Sequence, residues 1–148
     1  MRTRGFTLVE LVVVIMLIAI AMAMAATVLS AGLPGQQLRG SARELAAQLR
    51  YARAQAMVTG EPTVFQLDTR TREWQGPNRH QGRVPEQIEV IATVASSERP
   101  SPQVAAIRFF PEGAATGGRL VLKRNTAAWQ IDVDWLTGEV GLSRAESP

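Results

Sequence analysis

The sequence predicts an α+β protein: one long N-terminal helix packed on an antiparallel, β-rich C-terminal domain. Three observations carry this. No charged side chain occurs from Leu11 to Leu38, a stretch long and apolar enough for a transmembrane half of the helix. From Leu38 the apolar residues Leu38, Ala42, Leu45, Leu49, Ala52 and Ala56 recur at steps of four and three, the stripe of an amphipathic half. After Pro62 the pattern changes to period two and is punctuated by turn residues, which predicts about six short strands.

The first element begins at a charged mouth. Arg2 and Arg4 precede the apolar run, and Glu10 stands at its entrance. Leu11 to Leu29 is 19 residues, about 28 Å of helix against a hydrocarbon layer of about 30 Å. The basic leader predicts that the N-terminus stays cytoplasmic and that the C-terminal domain crosses the membrane. Arg39 and Arg43 beyond the run weigh weakly the other way. A cleaved secretory signal would use a site such as Ala23-Met24-Ala25, but the run is long for an h-region and contains Glu10. A plain single-span anchor gives Glu10 no role, although a carboxylate at the edge of a membrane helix is costly and marks function. The segment Arg4-Gly5-Phe6-Thr7-Leu8-Val9-Glu10 resembles the class III signal of type IV pilins and type II secretion pseudopilins. That resemblance implies cleavage after Gly5 by a prepilin peptidase, N-methylation of Phe6, and a role for Glu10 in filament assembly.

Pro34-Gly35 predicts an interruption or kink. The helix then resumes and stops at Gly60-Glu61-Pro62, where Gly suits the left-handed C′ position and Pro cannot continue. Val64 to Leu67 predicts a strand with Phe65 and Leu67 on one face. A turn over Asp68 to Thr71 and a short return strand Glu73 to Gln75 follow. Gly76 to Pro85, with two Gly and two Pro, predicts a loop. Gln87 to Val94 alternates as a strand, and Ala95 to Gln103 is a second loop. Val104 to Phe110 is a strand turned by Pro111-Glu112-Gly113, with a further bend at Gly117-Gly118. Arg119 to Arg124 puts Leu120 and Leu122 inward. Asn125-Thr126 turns into Ala128 to Trp135, where Trp129, Ile131, Val133 and Trp135 share a face. Both tryptophans are expected in the core. Leu136 to Glu139 turns into Val140 to Leu142, and the residues after Ser143 read as a frayed tail. Tight turns between successive strands imply antiparallel pairing, with the helix stripe on one sheet face.

Composition excludes several functions. The chain of 148 residues has no cysteine and one histidine, His80, which removes thiol catalysis, Cys-based zinc sites and a metal site rich in histidine. Taking Arg2 and Arg4 from the 16 basic residues leaves 14 against 13 acidic, so the net charge of +3 is no strong case for a nucleic-acid partner. Arg70, Arg72, Arg79, Arg83, Arg119, Lys123 and Arg124 could make a basic face, but aromatic residues are not interleaved with them. Asp132 and Asp134 fall on one strand face near Glu139. Calcium binding or paired-carboxylate hydrolysis is weighed against a solvated face, and the solvated face is preferred. Gly117-Gly118 lacks the Lys-Ser/Thr and helix of a phosphate loop. No cofactor and no enzymatic activity are expected.

Three further segments carry a sharper resemblance. They are Leu49-Arg50-Tyr51-Ala52-Arg53-Ala54-Gln55-Ala56, then Ile107-Arg108-Phe109-Phe110-Pro111-Glu112-Gly113 with Gly117-Gly118-Arg119, then Val133-Asp134-Trp135-Leu136-Thr137-Gly138. In order and spacing the chain resembles the H-type minor pseudopilins of type II secretion, the GspH family. The same domain occurs in FimT- and FimU-like minor pilins, so a minor type IV pilin, with DNA binding as an added role, is the alternative. The resemblance implies a type IV pilin-like fold: leader 1–5, transmembrane helix 6–33, and a periplasmic domain 34–148 with a helix over 36–59 and a β domain over 62–143. It also implies a single-pass inner-membrane location. The partners it implies are the major pseudopilin, the minor pseudopilins of the tip and the prepilin peptidase.

Overall fold

The computed structural model describes residues 8–95 and 101–145, with the side chains of 23–34 left aside. Gly5 and Phe6 lie outside the described residues. One helix, α1, is assigned over Leu8–Thr59, 52 residues, and the chain divides into two compact units, Met1–Pro34 and Gly35–Pro148.

In the first unit the described side chains, Leu8 to Met22, are exposed along the helix. Glu10 sits in the first described turn of α1. Among the described residues no helix is long and apolar enough to cross a membrane. The stretch whose side chains are described ends at Met22, short of the roughly 20 residues that a span needs. The helix is assigned through Pro34-Gly35, and the boundary between the two compact units falls between these residues.

In the second unit the expected stripe is the buried face of α1. Leu38, Ala42, Leu45, Leu49, Ala52 and Ala56 are each at most 1% exposed, and Ala46 joins them. Arg39, Arg43 and Glu44 point outward. Gly60, at φ +71°, ends the helix and donates its N–H to the Ala56 carbonyl.

Among the described residues eight strands follow, rather than about six. β1 (Thr63–Asp68), β2 (Glu73–Gln75), β3 (Gln81–Arg83) and β5 (Val104–Phe109) make one sheet in the order β3-β2-β1-β5. β4 (Glu89–Val94), β6 (Gly118–Arg124), β7 (Ala127–Val133) and β8 (Val140–Ala145) make a second, in the order β4-β6-β7-β8. Every pair is antiparallel. Phe65 faces Ile107 across β1 and β5, and Leu120 faces Ile131 across β6 and β7. The helix stripe shares one hydrophobic core with Phe65, Leu67, Ile107 and Phe109 of the first sheet and Leu120, Leu122 and Ile131 of the second. The stripe is therefore covered by both sheets and not by a single sheet face.

Three expectations need correction. The segment Gly76 to Pro85 is more than a loop: Pro77–Arg79 forms a 3-10 turn, with Asn78 and Arg79 at positive φ, and β3 returns along β2. Its Gly82 reads as a breaker in the sequence, yet it lies under the buried Trp74 ring. A Cβ there would be 2.5 Å from Trp74 Cζ2, so the strand needs glycine at that register. β7 ends at Val133, because Asp134 begins a turn, and Trp135 is consequently 66% exposed and not in the core. Trp129 is half-buried against the core, with the Arg39 guanidinium 5.4 Å from its ring centroid. Of the expected frayed tail, Arg144 and Ala145 belong to β8, whose pairing with β7 extends to Ala145, and 146–148 lie outside the described residues.

Candidate functional site

The three segments that carry the resemblance meet at one place. On α1, Arg50 and Arg53 flank the buried stripe and reach two different turns. Arg50 Nη2 donates to the Val140 carbonyl at 2.8 Å, and Arg53 Nε donates to the Gly113 carbonyl at 3.2 Å. Charge-assisted donors on a rigid helix thus fix the turn after β5 and the start of β8.

The turn between β7 and β8 is held from inside. Asp134 Oδ1 accepts the N–H of Thr137 at 2.8 Å, the Thr137 hydroxyl at 3.0 Å and the N–H of Leu136 at 2.9 Å. The Gly138 N–H donates to the Asp134 carbonyl, and the Asp134 N–H donates to the Glu139 carbonyl. These bonds favour the ionised carboxylate. The Thr137 N–H is the largest contributor and the Thr137 hydroxyl the next, and they hold Asp134 below its ordinary carboxylate value. The same Asx geometry appears at Asp68, where the N–H groups of Thr71 and Arg70 lower the carboxyl.

The β7–β8 turn is then locked to the β5–β6 turn. The Ala115 N–H donates to the Trp135 carbonyl at 3.0 Å. Gly138, at φ +64°, lies against Gly113, itself at φ +94°. The frame is rigid, and what it presents is apolar: Trp135 at 66% and Leu136 at 64% exposed.

The other candidate residues are placed differently. Asp132 and Asp134 do not act together. Asp132 Oδ1 accepts Arg119 Nε at 2.6 Å and Oδ2 accepts Gln130 Nε2, while Asp134 serves its own turn. Among the described residues no group of three His, Cys, Asp or Glu is placed to hold a metal ion. The basic residues do not gather on one sheet. Arg83 pairs with Glu73 in the first sheet, Arg119 pairs with Asp132 in the second, and Arg124 Nη1 donates to Gln37 Oε1 at 2.6 Å. His80 stacks on Tyr51, ring centroids 5.0 Å apart, and Asn78 donates to the Tyr51 hydroxyl, which binds the 3-10 turn to α1. Sequence reasoning missed the clamps Arg50 and Arg53. Their i, i+3 spacing beside the stripe is the signal that could have found them.

Comparison with known proteins adds a family to this geometry. The profile described as Type II transport protein GspH matches residues 41–138, and the prokaryotic N-terminal methylation motif matches residues 1–26. The type II secretion system protein H of Xanthomonas campestris pv. campestris is 43% identical over 145 residues, 98% of this chain and 86% of that one. Among solved structures, the minor pseudopilin EpsH of the Vibrio cholerae type 2 secretion system aligns with a TM-score of 0.58 at 16% identity. The alignment covers 73% of this chain and 97% of that one. The type IV minor pilin FimU of Pseudomonas aeruginosa aligns with a TM-score of 0.58 at 15% identity, covering 76% and 95%. At such identities the two structures speak for the fold alone.

An N-terminal helix, two antiparallel sheets on one core and a methylation motif define a type IV pilin-like subunit. Within that class the domain matched over 41–138 and the 43% identical relative decide between the two machines. The chain belongs to the GspH family, the H-type minor pseudopilins of type II secretion, and the type IV pilus alternative gives way to that assignment.

Proposed function

We propose that this chain is a structural, non-catalytic subunit that waits in the inner membrane and enters the secretion pseudopilus beside other pseudopilins. Residues 6–33 span the bilayer once and residues 34–148 stand in the periplasm. The uncharged run Leu11 to Leu38 and the basic leader Arg2, Arg4 support that orientation. A prepilin peptidase cleaves after Gly5, and Phe6 becomes the methylated N-terminus. Glu10 then pairs with the Phe6 amine of a neighbouring subunit. In a low-dielectric filament core that pairing offsets the desolvation of both groups and fixes the axial stagger between helices.

One observation carries the reading: a methylation motif over residues 1–26 and a GspH domain over 41–138 occur on the same chain. Intact-mass measurement of the protein isolated from native membranes tests the maturation step. The expected species lacks Met1 to Gly5 and carries one methyl group on Phe6. An N-terminus at Met1, or one near Ala26, would contradict it.

A further inference from the structure

The turn from Asp134 to Glu139 spends its framework residues on geometry, yet Trp135 and Leu136 have no place in that framework. Asp134 caps the turn, Thr137 donates twice to it, and Gly138 packs on Gly113. Trp135 and Leu136 are two-thirds exposed on a backbone that the Ala115 bond prevents from folding them inward. Among the described residues of the globular unit, Val58 near the end of α1 is more exposed, and Met57 and Ile91 are about half exposed. A rigid aromatic held away from the core costs little entropy on binding and is the usual anchor of a protein interface.

The surroundings of the ring select its partner. The recess beside Trp135 is lined by Asp132, Asp134 and Glu139 with Arg119, and Arg50 and Arg53 line the other side of Glu139. Carboxylates and guanidinium groups thus form a rim of both signs, not the basic field that an anionic membrane leaflet or nucleic-acid phosphates need. Such a rim complements a protein surface that is apolar at its centre and carries charges of both signs at its edge. A subunit also needs its neighbours specified outside the uncharged run Leu11 to Leu38, where there is no charge pattern to discriminate between partners.

We infer that the Trp135–Leu136 turn is the anchor by which this subunit grips the globular domain of an adjacent, different pseudopilin, on an apolar surface whose rim carries charges of both signs. The inference rests on the pseudopilus reading above. The test uses the full-length chain in its own secreting cell, with Leu136 replaced by a photocrosslinking benzophenone amino acid. The expected adduct joins position 136 to the globular domain of another pseudopilin. An adduct to a secreted protein, an outer-membrane component, lipid or a second copy of this chain overturns the inference, and so does the absence of any adduct. In parallel, Trp135→Ala in the full chain should cut co-isolated pseudopilin at least tenfold. Gly40→Ala, in open space on α1, should not. Resistance of the periplasmic domain to protease shows that the variants are folded. Wild-type recovery of pseudopilins by Trp135→Ala overturns the anchor and leaves the pseudopilus reading intact. If the unsubstituted chain recovers no pseudopilin, both fall.

Discussion

Gly138 lies so close to Gly113 that a Cβ at position 138 would stand 2.1 Å from the Gly113 carbonyl oxygen. The turn after β7 and the turn after β5 are therefore in backbone contact, and glycine at 138 is required twice over, for its φ of +64° and for the approach. Gly138→Ala should destabilise the globular unit by about 2 kcal/mol or more, since left-handed strain alone costs about 1–3 kcal/mol. Gly40→Ala, on the exposed face of α1 with open space around it, should be neutral or stabilising by up to about 1 kcal/mol. Thermal unfolding of residues 36–148, a segment expected to fold without metal or oxidant, checks both.

Leu49 is fully buried where the helix stripe meets both sheets. Leu49→Ala should cost about 2–5 kcal/mol, the transfer energy plus the cavity left behind. Val58→Ala, just past the last core residue of α1, Ala56, and 83% exposed, should cost under about 0.5 kcal/mol. Urea midpoints of the two variants separate these outcomes.

Asp134 links the β7–β8 turn to pH. Its carboxyl is lowered in the folded state from 3.8, chiefly by the Thr137 bonds. The turn's contribution is therefore complete above that ordinary value, and it is lost as pH falls through the lower folded value. Amide exchange at Leu136 and Thr137 should accelerate there, relative to neighbouring β7 amides. Asp134→Asn keeps an acceptor oxygen but does not titrate over that range, so the acid step at this turn should vanish.

The carboxylates near this turn should not hold calcium. Asp132 is occupied by Arg119 and Gln130, and Asp134 Oδ1 by three donors of its own turn. Calcium coordination would have to displace these bonds. The melting temperature of residues 36–148 should be the same with calcium and with a chelator; a calcium-dependent rise would show a site that the geometry does not provide.

Much of this molecule was legible in order. The stripe from Leu38 to Ala56 and the alternation in β1, β4, β6 and β7 are set by burial, and periodicity reports burial directly. The failures share a cause: they sit where a distant contact overrides a local signal. Gly82 suggests a breaker until the Trp74 ring is placed over it. Trp135 extends the alternation of Trp129, Ile131 and Val133, and only the side-chain cap of Asp134 shows that the strand has already ended. At the site, Gly138 was legible as a turn residue, but its contact with Gly113 spans 25 positions of sequence and has no local trace. Arg50 and Arg53 stand beside the stripe in the sequence, but the carbonyls they reach lie 90 and 60 residues away and leave no local trace.

Glu10 offers the most direct test that this chain works as a filament subunit. Glu10→Ala should leave insertion, cleavage after Gly5 and the globular fold unchanged, because Glu10 stands at the mouth of the apolar run and outside the buried core of the globular unit. The decisive measurement is co-isolation of the tagged full-length chain with other pseudopilins, alongside secretion in a strain that lacks the unsubstituted protein. The account predicts that the wild-type chain recovers pseudopilins and restores secretion, that Glu10→Asp is intermediate, and that Glu10→Ala recovers neither. Equal recovery by Glu10→Ala, with normal secretion, would contradict it.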